Sequence, residues 1–152
     1  MLPPDFYERK RAVYQRLERT RLLHSLREHR VDPDTFPHRF LSPEEETIFL
    51  ATVNPLHRWD CPLMEKVPTW ESITGRIRAW AACLSEVAIW YDAGPGNGGL
   101  VLPGNLVAES LDSLISAVKQ QGNVMLATPD GQTGCVYSEQ EHENLFGMWG
   151  RA

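Results

Sequence analysis

The order of apolar runs and turn residues between positions 86 and 149 constrains the fold of this chain more than any other feature. The run from Val87 to Tyr91, rich in β-branched and aromatic residues, predicts a strand buried on both faces. After a Gly-rich loop, Leu100 to Leu102 predicts a second short strand. From Asn105 to Gln121 an apolar stripe between an N-cap residue and a following Gly predicts a helix.

A hairpin is expected to complete this unit. Val124 to Thr128 and Cys135 to Ser138 flank the turn sequence Thr128-Pro129-Asp130-Gly131. Pro presets φ at the second turn position and Gly tolerates positive φ at the fourth. The two runs should therefore pair antiparallel, with Leu145 to Trp149 as a third strand.

Three helices are expected before residue 86. Asp5 to Glu8 forms a capping-box pattern that predicts a helix into the twenties, with a narrow apolar seam of Phe6, Val13 and Leu17. Ser42-Pro43-Glu44-Glu45 combines an N-cap, a first-position Pro and early acids, and predicts a second helix that ends at Asn54-Pro55. Apolar spacing predicts a third helix from Thr69 to about Ser85, after an irregular segment.

These elements predict the α+β fold class, with N-terminal helices followed by a small, mainly antiparallel sheet that carries one packed helix. A chain of 152 residues is long enough for one domain with an ordinary core, so a single domain is expected over residues 1–152. Cys83 and Cys135 are expected to be small core residues.

Charge is distributed unevenly along the chain. Residues 5–30, the predicted basic helix, hold eight Arg and Lys against four acidic residues, a net charge of +4. The rest of the chain holds seven basic and sixteen acidic residues, a net charge of −9. Residues 86–149 include eight acidic residues and a single Lys. Such polarity can steer a charged partner or can let the two parts of the protein attract each other.

Several classes of protein are disfavoured by the sequence. The N-terminus becomes charged where a signal peptide needs an apolar core, and no long uncharged apolar run predicts a membrane span. The Cys residues are three in number and widely spaced, which favours reduced thiols over a disulfide framework. A cytoplasmic protein without membrane attachment is therefore expected, and nothing in the sequence indicates its oligomeric state.

No catalytic, metal-binding or cofactor-binding motif is recognisable, so the sequence favours a protein that is not an enzyme and has no cofactor. Gly94 to Gly99 matches a dinucleotide-binding pattern, but Leu100 to Gly104 separates it from the next helix. His57, Asp60 and Cys61 form the one dense group of reactive side chains. A small Cys/His-dependent hydrolase that uses Cys61 and His57 is therefore kept as an alternative.

The candidate partner-binding residues lie mainly in the acidic C-terminal half. Glu139, Glu141 and Glu143 alternate with other residues around His142, so an extended stretch would place three carboxylates on one face. This pattern suits either a solvated edge that discourages aggregation or an acidic patch for a basic partner. Other candidates are two residues of the Gly-rich loop region and one Trp in a Pro-rich segment, namely Asp92, Asn97 and Trp59.

The segment from Gly122 through the Pro129-Asp130-Gly131 turn and Glu143 to Trp149 resembles small acidic bacterial immunity proteins, which neutralise secreted toxins. The resemblance implies an inhibitor of the immunity or antitoxin type that resides in the cytosol. Its expected partner is a cognate protein, such as a basic toxin domain, bound through an acidic face.

The basic N-terminal helix supports a different hypothesis. Arg9, Arg16 and Arg27 project in nearly the same direction on a continuous helix, and a basic stripe can follow phosphates. A phage or regulatory protein that contacts nucleic acid is therefore a further alternative. The acidic residues interleaved with this stripe disfavour it.

Overall fold

The computed structural model describes residues 3, 5–53, 64–90, 99–118 and 123–150. The helices are α1 (Phe6–Glu28), α2 (Pro43–Val53), α3 (Thr74–Ala82), α4 (Gly104–Glu109) and α5 (Leu111–Val118), with a 3-10 turn over Pro33–Thr35. The strands are β1 (Arg39–Phe40), β2 (Met64–Val67), β3 (Glu86–Trp90), β4 (Gly99–Pro103), β5 (Asn123–Ala127), β6 (Gly134–Glu139) and β7 (Asn144–Trp149).

The described strands form one seven-stranded sheet in the order β1-β4-β3-β5-β6-β7-β2. Each neighbouring pair is antiparallel, so the predicted α+β class is confirmed. The predicted hairpin is confirmed too, because β5 pairs with β6 across the Pro-Asp-Gly turn. Within that turn the Gly131 amide donates to the Thr128 carbonyl at 2.8 Å, and Gly131 has the positive φ of 73° that Gly tolerates.

Helices cover both faces of the sheet, where the sequence predicted a single packed helix. One face packs against buried side chains of α1, α3, α4 and α5, among them Leu26, Ile77, Val107 and Leu114. The opposite face packs against α2 through Phe49. All four residues from Val87 to Trp90 are buried, as expected for a strand with cover on both sides.

The predicted helix from Asn105 to Gln121 is divided into α4 and α5 at Ser110. Its first part begins at Gly104, and Asn105 does not cap it. A Cβ at Gly104 would overlap the carbonyl oxygens of Ala81 and Leu84, so α4 lies unusually close to the end of α3. The second part, α5, instead packs against α1. The helix is divided because its two parts pack on different partners.

Helix α1 begins directly after Asp5 and runs to Glu28, as predicted, but the expected cap of α1 and the start of α3 differ from the predictions. The Asp5 side chain does not cap α1 and forms an ion pair with Arg9 at 2.5 Å instead. Thr69 caps a separate turn, in which its hydroxyl oxygen accepts from the Ser72 amide at 3.3 Å, and α3 begins only at Thr74. By contrast, α2 has the predicted capping box. The Glu45 amide donates to Ser42 Oγ at 3.2 Å, and the Ser42 amide donates to Glu45 Oε1 at 3.0 Å.

Two edge strands were not predicted from the sequence. The short strand β1 pairs with β4, and β2 pairs with β7 inside a segment expected to be irregular. Both are too short for an alternating apolar pattern, and the burial of β2 is limited to partial cover at its two ends. Their pairing depends on the neighbouring strand rather than on their own residues.

Candidate functional site

The acidic run from Glu139 to Glu143 forms the turn between β6 and β7. Glu139 is the last residue of β6, and the Gln140 amide donates to the Glu143 carbonyl at 2.8 Å. The run is therefore not the extended stretch for which the sequence predicted three carboxylates on one face. The turn presents the carboxylates at the tip of a hairpin, where the side chains of Glu141 and His142 are 88% and 87% exposed.

Strand β2 flanks this turn and holds it in place. Lys66 Nζ lies 3.1 Å from Glu143 Oε2, and Asn144 Nδ2 donates to the Pro68 carbonyl at 3.0 Å. A shallow concavity of about 440 Å³ lies between the turn and the end of β2. The turn is thus attached to the edge of the sheet and presents its carboxylates in a defined position.

The pKa of Tyr137 is affected by the negative charge near this turn. Burial raises the pKa of Tyr137, and the carboxylates of Glu139 and Glu71 raise it further. The Trp70 ring packs at 5.2 Å from the Tyr137 ring and closes the site on the side of the helices. We define the acidic end of the sheet as Glu71, Glu139, Glu141 and Glu143.

The structure brings together four of the predicted partner-binding residues, namely Glu139, Glu141, His142 and Glu143. Asp92, Asn97 and Trp59 lie outside the described residues. The same holds for His57, Asp60 and Cys61, on which the hydrolase alternative rests. Glu71 was not singled out in the sequence, because its electrostatic effect on Tyr137 depends on tertiary packing.

A second charged cluster joins α2 to β1 and β3. Arg39 donates to both carboxylate oxygens of Glu45, at 2.6 and 2.9 Å, and its Nε donates to Glu86 at 3.2 Å. The bonds from Arg39 lower the pKa of Glu45 from 4.5 to about 2 against the opposing effect of partial burial, and Ser42 lowers it further. This bidentate pair fixes the start of α2 beside the sheet.

This pair predicts how stability responds to acid. Because the folded-state pKa of Glu45 is depressed, its stabilising contribution is complete above about pH 4.5 and is lost as the pH falls towards 2. We expect Glu45→Gln to flatten the fall in the free energy of unfolding over this pH range. Gln can still form the capping box, so the comparison isolates the charge. Urea unfolding at a series of pH values measures the effect.

The control for this experiment is Glu44→Gln, which removes a carboxylate from the same helical turn without altering the Arg39 pair. An acid dependence of Glu45→Gln that matches both the wild type and Glu44→Gln would contradict the assignment.

A groove lies beside this cluster, where the β5–β6 turn packs on α2. It has a volume of about 430 Å³, an apolar floor of Ile48, Leu84 and Pro129, and a rim with Glu45, Glu86 and Asp130. Ile48 is 47% exposed. We call this the α2 groove.

The N-terminal part of α1 carries a further unusual surface. Phe6, Tyr7, Val13, Tyr14 and Leu17 are each between 37% and 66% exposed. The residues of α1 that are buried in the core lie later, at Leu22 and Leu26. The seam of Phe6, Val13 and Leu17 predicted from the sequence therefore exists, but it does not contact the core.

A cavity of about 600 Å³ separates α1 from β1 and α2. The Arg19 guanidinium lies on its wall, 4.3 Å from the centre of the Phe40 ring, and Glu46 is buried there. The Ser42 hydroxyl also lines this cavity, but its oxygen caps α2 by accepting from the Glu45 amide. We therefore assign Ser42 a structural role.

The described cysteines differ in their environments. Cys135 is buried in the core, and burial raises the pKa of its thiol, which disfavours the reactive thiolate. Cys83 is exposed at the end of α3, which corrects the expectation that it is a core residue. Within the described ranges no group of three or more His, Cys, Asp or Glu residues is placed to hold a metal ion.

Comparison with known protein families, with curated proteins and with solved structures found no match to this chain. Of the helices that the structure describes, none has both the length and the apolar character that crossing a membrane requires.

Proposed function

We propose that this protein is a non-enzymatic protein-binding module that binds a basic partner through the acidic end of its sheet. The observation that carries the proposal is the position of Glu139 at the end of β6 and of Glu141 and Glu143 in the tight turn that follows, at the tip of a hairpin. The strands behind this turn are largely buried, so the carboxylates are presented by a rigid support.

The electrostatics of the acidic end support this function. Among the described residues, Lys66 forms an ion pair with Glu143, whereas the Glu141 side chain contacts only His142, at 3.8 Å. Exposed carboxylates on a fixed scaffold increase the rate at which a positively charged partner associates. A basic protein surface is therefore the partner chemistry that fits this site.

The resemblance of the C-terminal segment to bacterial immunity proteins suggests a finer version of the proposal. In that version the protein is an inhibitor of the immunity or antitoxin type, and its partner is a basic toxin domain. Cytoplasmic residence belongs to the same proposal and suits the free thiols of Cys83 and Cys135.

The test uses a variant with Glu139, Glu141 and Glu143 all changed to Gln. Wild type and variant are used as parallel baits in extracts of the native cell, and a protein held by the wild type alone is then purified. We expect the variant to associate with this partner at least about tenfold more slowly at low salt, with a smaller difference at high salt. Stopped-flow or surface-based kinetics measure the association rates.

A matched control changes Glu8, Glu28 and Glu109 to Gln, which removes the same charge from exposed positions elsewhere. Equal association rates for the two triple variants would show that net charge, not the acidic end, steers the partner. A purified partner that is itself acidic would also contradict the proposal.

A further inference from the structure

The outward stripe of α1 consists of Phe6, Tyr7, Val13, Tyr14 and Leu17, the five exposed large apolar residues described above. At about 100° per residue, Phe6, Val13 and Leu17 lie about 180° around the helix from Leu22 and Leu26. The two Tyr residues extend this stripe along one side. The stripe therefore faces away from the core of its own chain, and large exposed apolar patches of this kind mark interaction sites.

The charges around Phe6, Val13 and Leu17 have one sign. Over residues 6–21, the half of the helix centred on these three residues holds Arg9, Lys10, Arg16 and Arg21. Both Glu residues of this part lie on the other half, with Glu18 beside the two Tyr residues. Arg9 pairs with Asp5 and Arg21 pairs with Glu18, but these exposed pairs contribute little and can exchange partners. The occupant of the stripe should therefore combine an apolar centre with an acidic rim.

The α2 groove has this complementary character. Its floor contains Ile48, the one exposed large apolar residue described outside α1. Its rim holds the carboxylates of Glu45, Glu86 and Asp130 and the guanidinium of Arg39. Arg39 already binds Glu45 and Glu86, so the rim keeps a net negative charge from three carboxylates against one guanidinium. An apolar floor with an acidic rim matches an apolar stripe with basic flanks.

The geometry decides between two ways of pairing copies of the chain. Packing of one stripe against another would bring together eight basic side chains, which repel. The stripe cannot reach the groove of its own chain without α1 leaving the core, because it faces away from that core. Binding of the stripe to the α2 groove of a second copy avoids the repulsion between basic side chains and leaves α1 packed on its own core.

We propose that this protein self-associates, with the outward stripe of α1 of one copy bound in the α2 groove of another. The contact joins two different surfaces, so it either closes into a symmetric assembly or extends from copy to copy. Neither surface overlaps the acidic end, so this interface is independent of the proposed partner-binding function.

Two substitutions test the two surfaces separately. Val13→Glu introduces a carboxylate into the stripe, and Ile48→Glu introduces one into the groove. Both side chains are about half exposed, so both variants are expected to fold. Ala12→Glu and Thr47→Glu are the matched controls, because they place the same charge on neighbouring exposed positions that point elsewhere.

Sedimentation velocity of the full chain over a wide concentration range measures self-association. We expect the wild type and both controls to associate, and each test variant to associate at least about tenfold more weakly. A mixture of the two test variants should associate again, because Val13→Glu retains an intact groove and Ile48→Glu an intact stripe. Association of the wild type should weaken as salt is raised.

A wild type that remains monomeric at all concentrations would overturn the proposal, and binding of that monomer to vesicles of anionic phospholipid would assign the stripe to a lipid surface. Loss of association in Val13→Glu but not in Ile48→Glu would exclude the groove. Failure of the mixed variants to associate would exclude contact between stripe and groove. None of these outcomes changes the expected effect of the Gln substitutions at the acidic end.

Discussion

Replacing Phe49 with Ala is expected to lower the free energy of unfolding by about 3–5 kcal/mol. Phe49 is fully buried and stacks on Trp90 with ring centres 5.7 Å apart and an interplanar angle of 13°. It lies in the cluster that joins α2 to the sheet, with Val101 and Val136 among its members. Truncation removes this contact and leaves a cavity that the strands behind it cannot fill. Urea unfolding followed by far-UV circular dichroism measures the loss.

The control for this prediction is Phe49→Leu, which keeps most of the apolar volume. It should cost clearly less than Phe49→Ala, since the cost of truncation grows with the cavity left behind. Phe49→Ala should also change the fluorescence of the protein, because Trp90 loses its stacking partner. A loss of less than about 1 kcal/mol for Phe49→Ala would mean that α2 is not anchored in this way.

Replacing Thr133 with Val is expected to cost about 2–4 kcal/mol, although the two side chains have nearly the same shape. The Trp80 indole donates to Thr133 Oγ1 at 2.9 Å, and the Thr133 hydroxyl donates to the Trp149 carbonyl at 2.9 Å. Thr133 is buried and links α3 to the end of β7. Val would leave the buried indole without its acceptor and would remove the second bond. Equilibrium unfolding in urea tests this value.

Thr133→Ser separates hydrogen bonding from packing in this link. Ser retains the hydroxyl and loses one methyl group, so it should cost only about 1 kcal/mol. If Thr133→Ser destabilised the protein as much as Thr133→Val, packing rather than the hydrogen-bonded link would account for the loss.

The elements that were predicted correctly from the sequence depend on interactions between residues that are close together in the chain. The Ser42 and Glu45 capping box starts α2 where it was expected. Pro129 and Gly131 place the hairpin turn between β5 and β6, and Gly131 adopts the positive φ that the turn requires. In both cases the interacting groups are at most a few residues apart, so short-range geometry suffices.

The parts that were predicted wrongly or not at all depend on partners distant in the chain. The break at Ser110 arises because α4 packs on α3 whereas α5 packs on α1. The edge strand β2 forms only because β7 lies beside it, with Lys66 opposite Leu145.

The candidate surfaces show the same division. The acidic run around Glu141 was located from the sequence. Because this run forms a turn, its carboxylates extend from the tip of a hairpin rather than along one face of a strand. The apolar seam from Phe6 to Leu17 was visible in the sequence, but only the structure shows that these side chains are exposed and that the core contacts of α1 are made by Leu22 and Leu26. The α2 groove could not be predicted, because Ile48, Leu84 and Pro129 come from three separate parts of the chain.

The sequence by itself determined the α+β class, the central hairpin, the start of α2 and the separation of a basic N-terminal helix from an acidic remainder. These properties follow from periodicity, capping and charge, which depend on each residue and its near neighbours. Only the tertiary structure decided which apolar side chains remain exposed on α1 and which carboxylates raise the pKa of Tyr137. Burial and electrostatic interaction depend on which residues folding brings together, and residues that are far apart in the chain give no local sequence signal of such proximity.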